Sequence, residues 1–147
     1  QGLRRLVVLS SGGTVYGQSQ TELIQEIHPT QPISSYGTVK LATEYYARLL
    51  HAQRGLPVVI LRPSNAYGPG QVPFTGQGYS NQEILEKFIQ PLAQAQGRAL
   101  RIKSLPARLG DVLRNVLSSS KIEQEPGWRP EVSIESGVRL TWEHMSC

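Results

Sequence analysis

The chain has 147 residues, of which 39% are hydrophobic and 18% charged, and its formal net charge is +4. This balance is typical of a soluble globular protein of about one domain and excludes a disordered chain. No apolar run approaches the roughly 20 residues of a transmembrane helix, and the first residues lack a signal-peptide pattern. We therefore expect a cytoplasmic protein without membrane contact.

Cysteine usage and the distribution of charge exclude two further classes. Cys147 is the single cysteine, which rules out an internal disulfide and a cysteine-based metal site, and no bound metal is expected. Basic residues are spread along the chain and occur in pairs at most, as at Arg4 and Arg5. A nucleic-acid surface needs a basic stripe or patch, so nucleic acid is not an expected partner.

Two short apolar runs predict the strands of a sheet. Leu6-Val7-Val8-Leu9 is followed at once by Ser10-Ser11-Gly12-Gly13, which indicates a strand buried on both faces that ends in a tight loop. Val58-Val59-Ile60-Leu61 predicts a second strand of the same kind. Between the runs, Ser34 or Ser35 can cap a helix that ends at Gly55.

The order strand, helix, strand predicts an α/β fold with a parallel sheet. Ligands of such sheets bind beyond the carboxyl ends of the strands. The apolar positions expected on the helix are Val39, Ala42, Tyr46, Leu49 and Leu50. The polar residues that follow the two strands, and that are candidates for a site, are Ser10, Ser11, Thr14, Arg62, Ser64 and Asn65.

The second half of the chain has a different pattern. Residues 68–78 are rich in glycine and proline and predict a long loop, and a loop of this length is usually functional. A helix is expected over 82–96, a strand-like segment over 99–102, a helix around 119–125 and a final amphipathic helix from Ser133 or Ile134. The apolar side of the 82–96 helix holds Ile84, Leu85, Phe88, Ile89 and Leu92.

Two strands cannot close a doubly wound sheet, which normally needs five or more. The sequence starts with Gln1, and its first strand begins almost at once. We therefore expect the chain to be a fragment of a longer protein, or to be joined from parts of one.

Tyr36 and Lys40 form the most informative pair, because a spacing of four places both side chains on one helix face. A phenol alone has a pKa of about 10. A neighbouring ammonium, the helix N-terminus and an oxidised nicotinamide would each favour the phenolate, so Tyr36 could take a proton from an alcohol near neutral pH. A hydroxyl from Ser11 or Thr14 would complete a site for hydride transfer. The alternative is a half-buried tyrosine that the lysine stem covers.

Three further motifs accompany this pair in the same order as in a known family. With the segment of the pair itself there are four motifs: Ser10-Ser11-Gly12-Gly13-Thr14-Val15-Tyr16-Gly17, Tyr36-Gly37-Thr38-Val39-Lys40, Leu61-Arg62-Pro63-Ser64-Asn65-Ala66-Tyr67-Gly68 and Ala107-Arg108-Leu109-Gly110-Asp111. Together they resemble the extended short-chain dehydrogenase/reductase family, and within it the NAD-dependent nucleotide-sugar epimerases of the UDP-glucose 4-epimerase type. Residues 120–130 are similar to the closing segment of that family.

The resemblance implies a fold and a division of the chain. The expected fold is a partial Rossmann-like, doubly wound parallel sheet with a small C-terminal substrate-binding region. Residues 1–68 would be the C-terminal part of the Rossmann-like NAD-binding domain. Residues 69–147 would be remnants of the nucleotide-sugar substrate-binding region.

The resemblance also implies roles for individual residues. Tyr36 would be the catalytic base, and Lys40 would bind the nicotinamide ribose and lower the pKa of the tyrosine. The other residues that it places at NAD are Ser10, Gly12, Pro63 and Ser64. For the substrate, Asn65 would hold the sugar nucleotide, Arg108 its phosphates and Asp111 its ribose hydroxyls.

The chain also departs from the family pattern. Gly12 stands where the family usually has a catalytic serine or threonine, so Ser11 or Thr14 must supply that hydroxyl, or it is absent. The glycine-rich fingerprint for the dinucleotide pyrophosphate is not found. Between Ile102 and Lys103 the sequence passes directly toward the closing motif, where the family carries a further segment.

The resemblance and the loop after the first strand together predict the reaction. Related dehydratases carry an acidic residue after the catalytic hydroxyl, whereas this loop reads Gly12-Gly13-Thr14. We therefore expect an NAD-dependent 4-epimerase acting on a UDP-hexose or UDP-N-acetylhexosamine in polysaccharide or sugar metabolism, as a homodimer through helices that include the one with Tyr36. The alternatives are a reductase or dehydratase of the same family and a non-catalytic interaction module, and the sequence does not choose NAD over NADP.

Overall fold

The computed structural model describes residues 2–64, 66, 80–106, 111–124, 128 and 130–145. The chain divides into two compact units, of which the first is residues 1–64 with 108–117 and the second is residues 65–107 with 118–147. The described segment 111–117 thus packs with the N-terminal part of the chain, and the division at residue 68 stays a prediction. Asn65, Arg108 and the loop expected over 68–78 lie outside the described residues.

The first unit is built on a parallel strand pair joined through a helix. Strand β1 (Leu6–Leu9) pairs with strand β2 (Val58–Leu61) in parallel, from Leu6 opposite Val58 to Leu9 opposite Leu61. Helix α1 (Ser35–Arg54) connects the strands and packs on both of them. The predicted strands, helix and parallel pairing are confirmed.

Local chemistry sets both ends of α1. Ser34 is the N-cap, and its Oγ accepts a hydrogen bond of 3.1 Å from the backbone N–H of Gly37. Gly55 ends the helix with φ of 64°, a left-handed conformation that glycine adopts without steric penalty, and its N–H donates to the His51 carbonyl at 2.8 Å. Each signal is local in sequence, which is why the end of the helix at Gly55 could be predicted and its N-cap narrowed to Ser34 or Ser35.

The prediction that both strands are buried on both faces is wrong in this chain. Val7 is 54% exposed, Leu9 62% and Val59 39%, whereas their strand neighbours are more covered. Successive side chains of a strand point to opposite faces, and α1 covers one of them. A run of apolar residues indicates that a strand tends to be buried. Both of its faces are buried only when a second layer of structure packs on the face opposite α1.

The core of the first unit lies beside the carboxyl end of β1. Val15, Tyr16 and Ile24 are buried together, with Leu41 and Leu117 packed against them. Ile24 also forms an isolated parallel bridge with Leu117. The loop after β1, helix α1 and the segment near residue 117 therefore share one small core.

The second unit contains a helix in three consecutive parts: α2 (Asn81–Ile84), a π-helical turn (Leu85–Ile89) and α3 (Gln90–Ala95). The N–H of Gln90 donates to the Leu85 carbonyl, which is the wide spacing of a π turn. Pro91 follows directly and has no N–H to continue the α-helical pattern. The helix expected over 82–96 is confirmed with this wider turn inside it.

The second unit has its own apolar cluster. Helices α4 (Ser120–Gln124) and α5 (Ile134–Met145) agree with the helices predicted near 119–125 and from residue 134. The buried members of the cluster are Ile84, Ile89 and Val138, with Leu85, Phe88, Leu92, Leu100, Ile134 and Trp142 around them. The strand-like prediction for 99–102 is wrong, because these residues form no strand and Leu100 packs against the helices instead.

Across the described ranges, none of the helices has the length and apolar character needed to span a membrane.

Candidate active site

The candidate site begins where the two parallel strands end. Beyond β1, the N–H of Ser10 donates to the Leu61 carbonyl at 2.8 Å, and the N–H of Gly12 donates to the Pro63 carbonyl at 2.9 Å. The segments that follow β1 and β2 therefore stay side by side for several residues after the strands stop. Ser10, Ser11 and Arg62 therefore lie at one edge of the sheet.

Helix α1 brings the predicted tyrosine and lysine to the same edge. The Lys40 Nζ donates a hydrogen bond of 3.0 Å to the carbonyl of Leu9, the last residue of β1. The same ammonium lies 5.6 Å from the centre of the Tyr36 ring, and Tyr36 is 55% exposed. The spacing of four residues therefore places the Lys40 ammonium beside the exposed Tyr36 phenol, at the end of a parallel strand.

Gly12 occupies a position where no side chain fits. A Cβ on Gly12 would lie 2.6 Å from the Arg62 carbonyl oxygen and would also clash with the Leu117 side chain. Asn115 fixes the loop further, because its Nδ2 donates to the Gly12 carbonyl at 2.9 Å. The close approach of two backbones therefore leaves room for glycine alone at this position.

The three hydroxyls of the loop after β1 differ in access. Ser10 is 4% exposed, and the Oγ1 of Thr14 is buried without a hydrogen-bond partner among the described residues. Ser11 is partly exposed. The Thr14 carbonyl packs against the first turn of α1, where a Cβ on Gly37 would lie 2.8 Å from it.

The structure describes some of the remaining predicted residues but not others. Pro63 and Ser64 directly follow β2, where Pro63 is exposed and Ser64 half-buried. Asp111 is exposed and lies beside the loop that follows β1, because its carbonyl oxygen accepts a 3.1 Å hydrogen bond from the Gln18 Nε2. Asn65 and Arg108 lie outside the described residues, so their predicted roles stay predictions.

A buried charge network next to this edge was missed at the sequence level. Glu44, on α1, is 1% exposed, and its two carboxylate oxygens accept hydrogen bonds from Arg62 Nε at 2.8 Å and Nη2 at 2.6 Å. The third donor, Arg62 Nη1, reaches the Tyr16 hydroxyl at 2.8 Å. A usable signal existed, because Glu44 follows Lys40 by four residues and so falls on the helix face that meets the sheet.

Electrostatics keep this network charged. Burial by itself would raise the pKa of the Glu44 carboxyl, but the hydrogen bond from Arg62 and the charges of Arg62 and Arg48 outweigh burial, and the pKa lies below its ordinary value. The hydrogen bond to Glu44 likewise raises the pKa of the Arg62 guanidinium above its ordinary value. Both groups are therefore ionised at neutral pH.

Comparison with known proteins identifies the family. The model of the NAD dependent epimerase/dehydratase family matches residues 1–116, which is most of the chain, and the chain belongs to that family. A UDP-glucose 4-epimerase from Mycolicibacterium smegmatis is 24% identical over 195 aligned positions, covering 97% of this chain and 62% of that protein. The human dTDP-D-glucose 4,6-dehydratase is 37% identical over 78 residues, covering 53% of this chain and 20% of that protein.

Solved structures confirm the predicted fold class. The UDP-glucose 4-epimerase of Thermus thermophilus, solved in complex with NAD, superposes with a TM-score of 0.79 and 26% identity, over 97% of this chain and 64% of that one. The α/β fold with a small parallel sheet is therefore a partial Rossmann fold. The chain spans less than two thirds of the length of the M. smegmatis and T. thermophilus proteins. The M. smegmatis alignment, at 195 positions, is longer than this chain of 147 residues. Within the aligned region, that relative therefore has residues that this chain lacks.

Proposed function

We propose that this chain carries the catalytic tyrosine and lysine of an NAD-dependent nucleotide-sugar 4-epimerase. One observation supports this above the others. The Lys40 ammonium is anchored on the Leu9 carbonyl at 3.0 Å and at the same time faces the ring of the exposed Tyr36. A merely structural lysine could cover the tyrosine with its stem, but it would not need to be fixed to the carboxyl end of a strand, which is where such sheets bind ligands.

The residues present fit one end of the cofactor. The edge offers an open phenol and an anchored ammonium, which suit the approach of a nicotinamide ribose. The glycine-rich pyrophosphate motif is not among the 147 residues, so the fit concerns the nicotinamide end alone. When bound, NAD would supply a reversible hydride acceptor.

The proton chemistry follows from the side chains. Tyr36 takes the proton of the sugar 4-hydroxyl and later returns it, and the Lys40 ammonium lies 5.6 Å from the centre of its ring. Ser11 supports this role better than Thr14 does, because the Thr14 Oγ1 is closed off by its surroundings. In this proposal Ser11 donates a hydrogen bond to the reacting oxygen.

The substrate proposed is a UDP-linked hexose or N-acetylhexosamine. Asn65, Arg108 and Asp111 are the proposed contacts to the sugar nucleotide. The dehydratase relative supports a second candidate, a dehydration that starts from the same oxidised sugar. The loop Gly12-Gly13-Thr14 favours epimerisation, since it offers no acid to carry a proton at the neighbouring carbon.

The outer face of α1 supports a homodimer. Val39 is 64% exposed, Tyr46 70% and Leu49 47%, and Ala42 lies between them on the same stripe. Spacings of three and four residues along a helix are those of helix–helix packing. We propose that a second copy of the chain covers this stripe.

The first experiment is to purify the chain, unfold it and look for released NAD by absorbance and mass. The expected result is NAD in near-stoichiometric amount, followed by interconversion of UDP-glucose and UDP-galactose, or of their N-acetyl forms. A 4-keto-6-deoxy sugar as product would replace the epimerase with the dehydratase. A folded chain with neither cofactor nor turnover would overturn the proposal in favour of a non-catalytic module.

A further inference from the structure

The network of Glu44, Arg62 and Tyr16 contacts three parts of the candidate site. Glu44 belongs to α1, Arg62 directly follows β2, and Tyr16 belongs to the loop after β1. Besides its hydrogen bond to the Tyr16 hydroxyl, the Arg62 guanidinium lies over the Tyr16 ring, 4.9 Å from its centre. One guanidinium therefore connects the helix that bears Tyr36 with both strand ends.

The geometry of the ion pair fixes a position as well as a charge. Two parallel hydrogen bonds join the planar guanidinium to the planar carboxylate, which constrains both the distance and the orientation of the partners. The pair is buried, with 1% of the Glu44 side chain and 12% of the Arg62 side chain exposed. Apolar side chains often stabilise a core as well as a buried ion pair does, so stability alone does not account for it.

Helix α1 meets the sheet edge at two points. One turn before Glu44, the Lys40 Nζ donates to the carbonyl of Leu9. Leu9 is the register partner of Leu61, and Arg62 is the next residue. These contacts form a closed ring, which runs from Lys40 to Leu9, across the sheet to Arg62 and back to the helix at Glu44. The helix therefore cannot rotate or slide without breaking one of them.

We propose that Glu44 is a positioning residue, which acts through Arg62 to hold Lys40 on the Leu9 carbonyl and so to set the place of Tyr36. The inference deepens the proposed function and rests on it, because Tyr36 and Lys40 are the groups being placed. Glu44 itself touches neither substrate nor cofactor in this assignment.

The test measures the chemical reactivity of Lys40, which does not depend on turnover. The full chain and its variants receive a brief pulse of an amine-reactive reagent, and mass spectrometry gives the labelling of Lys40 relative to the exposed Lys121. We expect Glu44→Gln to raise this ratio by about 2- to 30-fold. Mutations change the properties of a site that they reach only through intervening contacts by factors in this range. A role confined to overall stability would leave the ratio unchanged in the folded protein.

The chain offers two matched controls. Arg48→Gln removes the 3.7 Å contact on the other side of the same carboxylate, from a side chain that is 61% exposed, and is expected to leave Lys40 labelling unchanged. Glu83→Gln removes the carboxylate charge that lies 3.1 Å from the Lys87 Nζ in the second unit, and should raise labelling at Lys87 but not at Lys40. Arg62→Lys keeps the charge but loses the planar fork, and should behave like Glu44→Gln.

The outcomes separate this inference from the proposed function. Unchanged Lys40 labelling in folded Glu44→Gln, or an equal rise in Glu83→Gln, overturns the positioning role. If Glu44→Gln does not fold, Glu44→Asp and Arg62→Lys decide the question by the same ratio. Where the wild-type chain turns over, Glu44→Gln should lower kcat and leave KM within about twofold. A wild-type chain without cofactor or turnover refutes the proposed function, whereas the labelling still decides whether Glu44 positions Lys40.

Discussion

At the scale of single residues, the site is shaped by how closely backbones approach one another. The Gly12 N–H and carbonyl are both engaged, by Pro63 and Asn115, and the Arg62 carbonyl occupies the space where a side chain would begin. A glycine here allows the two strand ends to lie in contact. The same packing closes the position to a hydroxyl-bearing side chain.

Gly12→Ser tests this packing. We expect it to lower the free energy of unfolding by about 1–3 kcal/mol, because the added atoms must displace the Arg62 backbone as well as the Leu117 side chain. Urea denaturation of the variant and the wild type measures the difference. Gly2→Ser is the control, since nothing lies within 4 Å of a Cβ at that position. A Gly12→Ser protein as stable as the wild type would contradict the packing argument.

Tyr36→Phe tests the proposed proton transfer. Removal of one phenol oxygen should lower the rate of sugar interconversion by about 10²- to 10⁴-fold, the usual contribution of a positioned acid or base. The thermal midpoint should hardly change, since Tyr36 is 55% exposed. Tyr45→Phe removes the same atom from a tyrosine of the same helix that is 62% exposed, and should retain full activity. Equal activities of the two variants would refute the role of Tyr36.

At the scale of elements, helix ends are stabilised by their own short sequences. Ser80 and Glu83 form a reciprocal cap at the start of α2, in which the Ser80 Oγ accepts from the Glu83 N–H at 3.1 Å and the Glu83 Oε2 accepts from the Ser80 N–H at 2.9 Å. The hydrogen bond from the Ser80 backbone, with the Lys87 side chain, lowers the pKa of Glu83 to about 2. The cap therefore makes part of the stability of the second unit dependent on pH.

The sign of this dependence follows from the lowered pKa. The ionised Glu83 stabilises the folded state at pH values above its ordinary pKa of 4.5, and this contribution is lost as the pH falls from there toward 2. Thermal unfolding between pH 5 and pH 2 should show a smaller acid loss in Glu83→Gln than in the wild type. Glu86→Gln, which removes a carboxylate outside the cap, should keep the wild-type loss. The prediction fails if Glu83→Gln and the wild type lose stability in parallel.

At the scale of the whole molecule, the exposed apolar stripe of α1 is the feature that most needs a partner. Leu49→Glu should weaken association of the proposed homodimer at least about tenfold, because each copy would bury an unpaired carboxylate. Light scattering over a range of concentrations measures this. Ala95→Glu adds the same charge to an exposed position on a different helix, α3, and should leave the dimer intact. A wild-type chain that stays monomeric at high concentration would refute the homodimer.

A feature could be predicted from the sequence when the residues that form it lie close together in the chain. The strands, α1 and the apolar side of the 81–95 helix were predicted because hydrophobic period, a serine cap and a terminal glycine act within a few residues. The candidate pair Tyr36 and Lys40 was found for the same reason, since both lie on one helix turn. The prediction of a strand over 99–102 is wrong. A strand needs a neighbouring strand to pair with, whereas Leu100 packs against apolar side chains of the helices.

Local chemistry was enough to predict the α/β class, the end of α1 at Gly55 and the juxtaposition of Tyr36 with Lys40. Which groups meet across the chain depends on how the elements pack against one another. Glu44 is 18 residues from Arg62 and Asn115 is 103 residues from Gly12, and no local pattern specifies either contact. The close approach at Gly12, the closed position of the Thr14 hydroxyl and the exposed sheet face likewise exist only because particular backbones pack at particular distances.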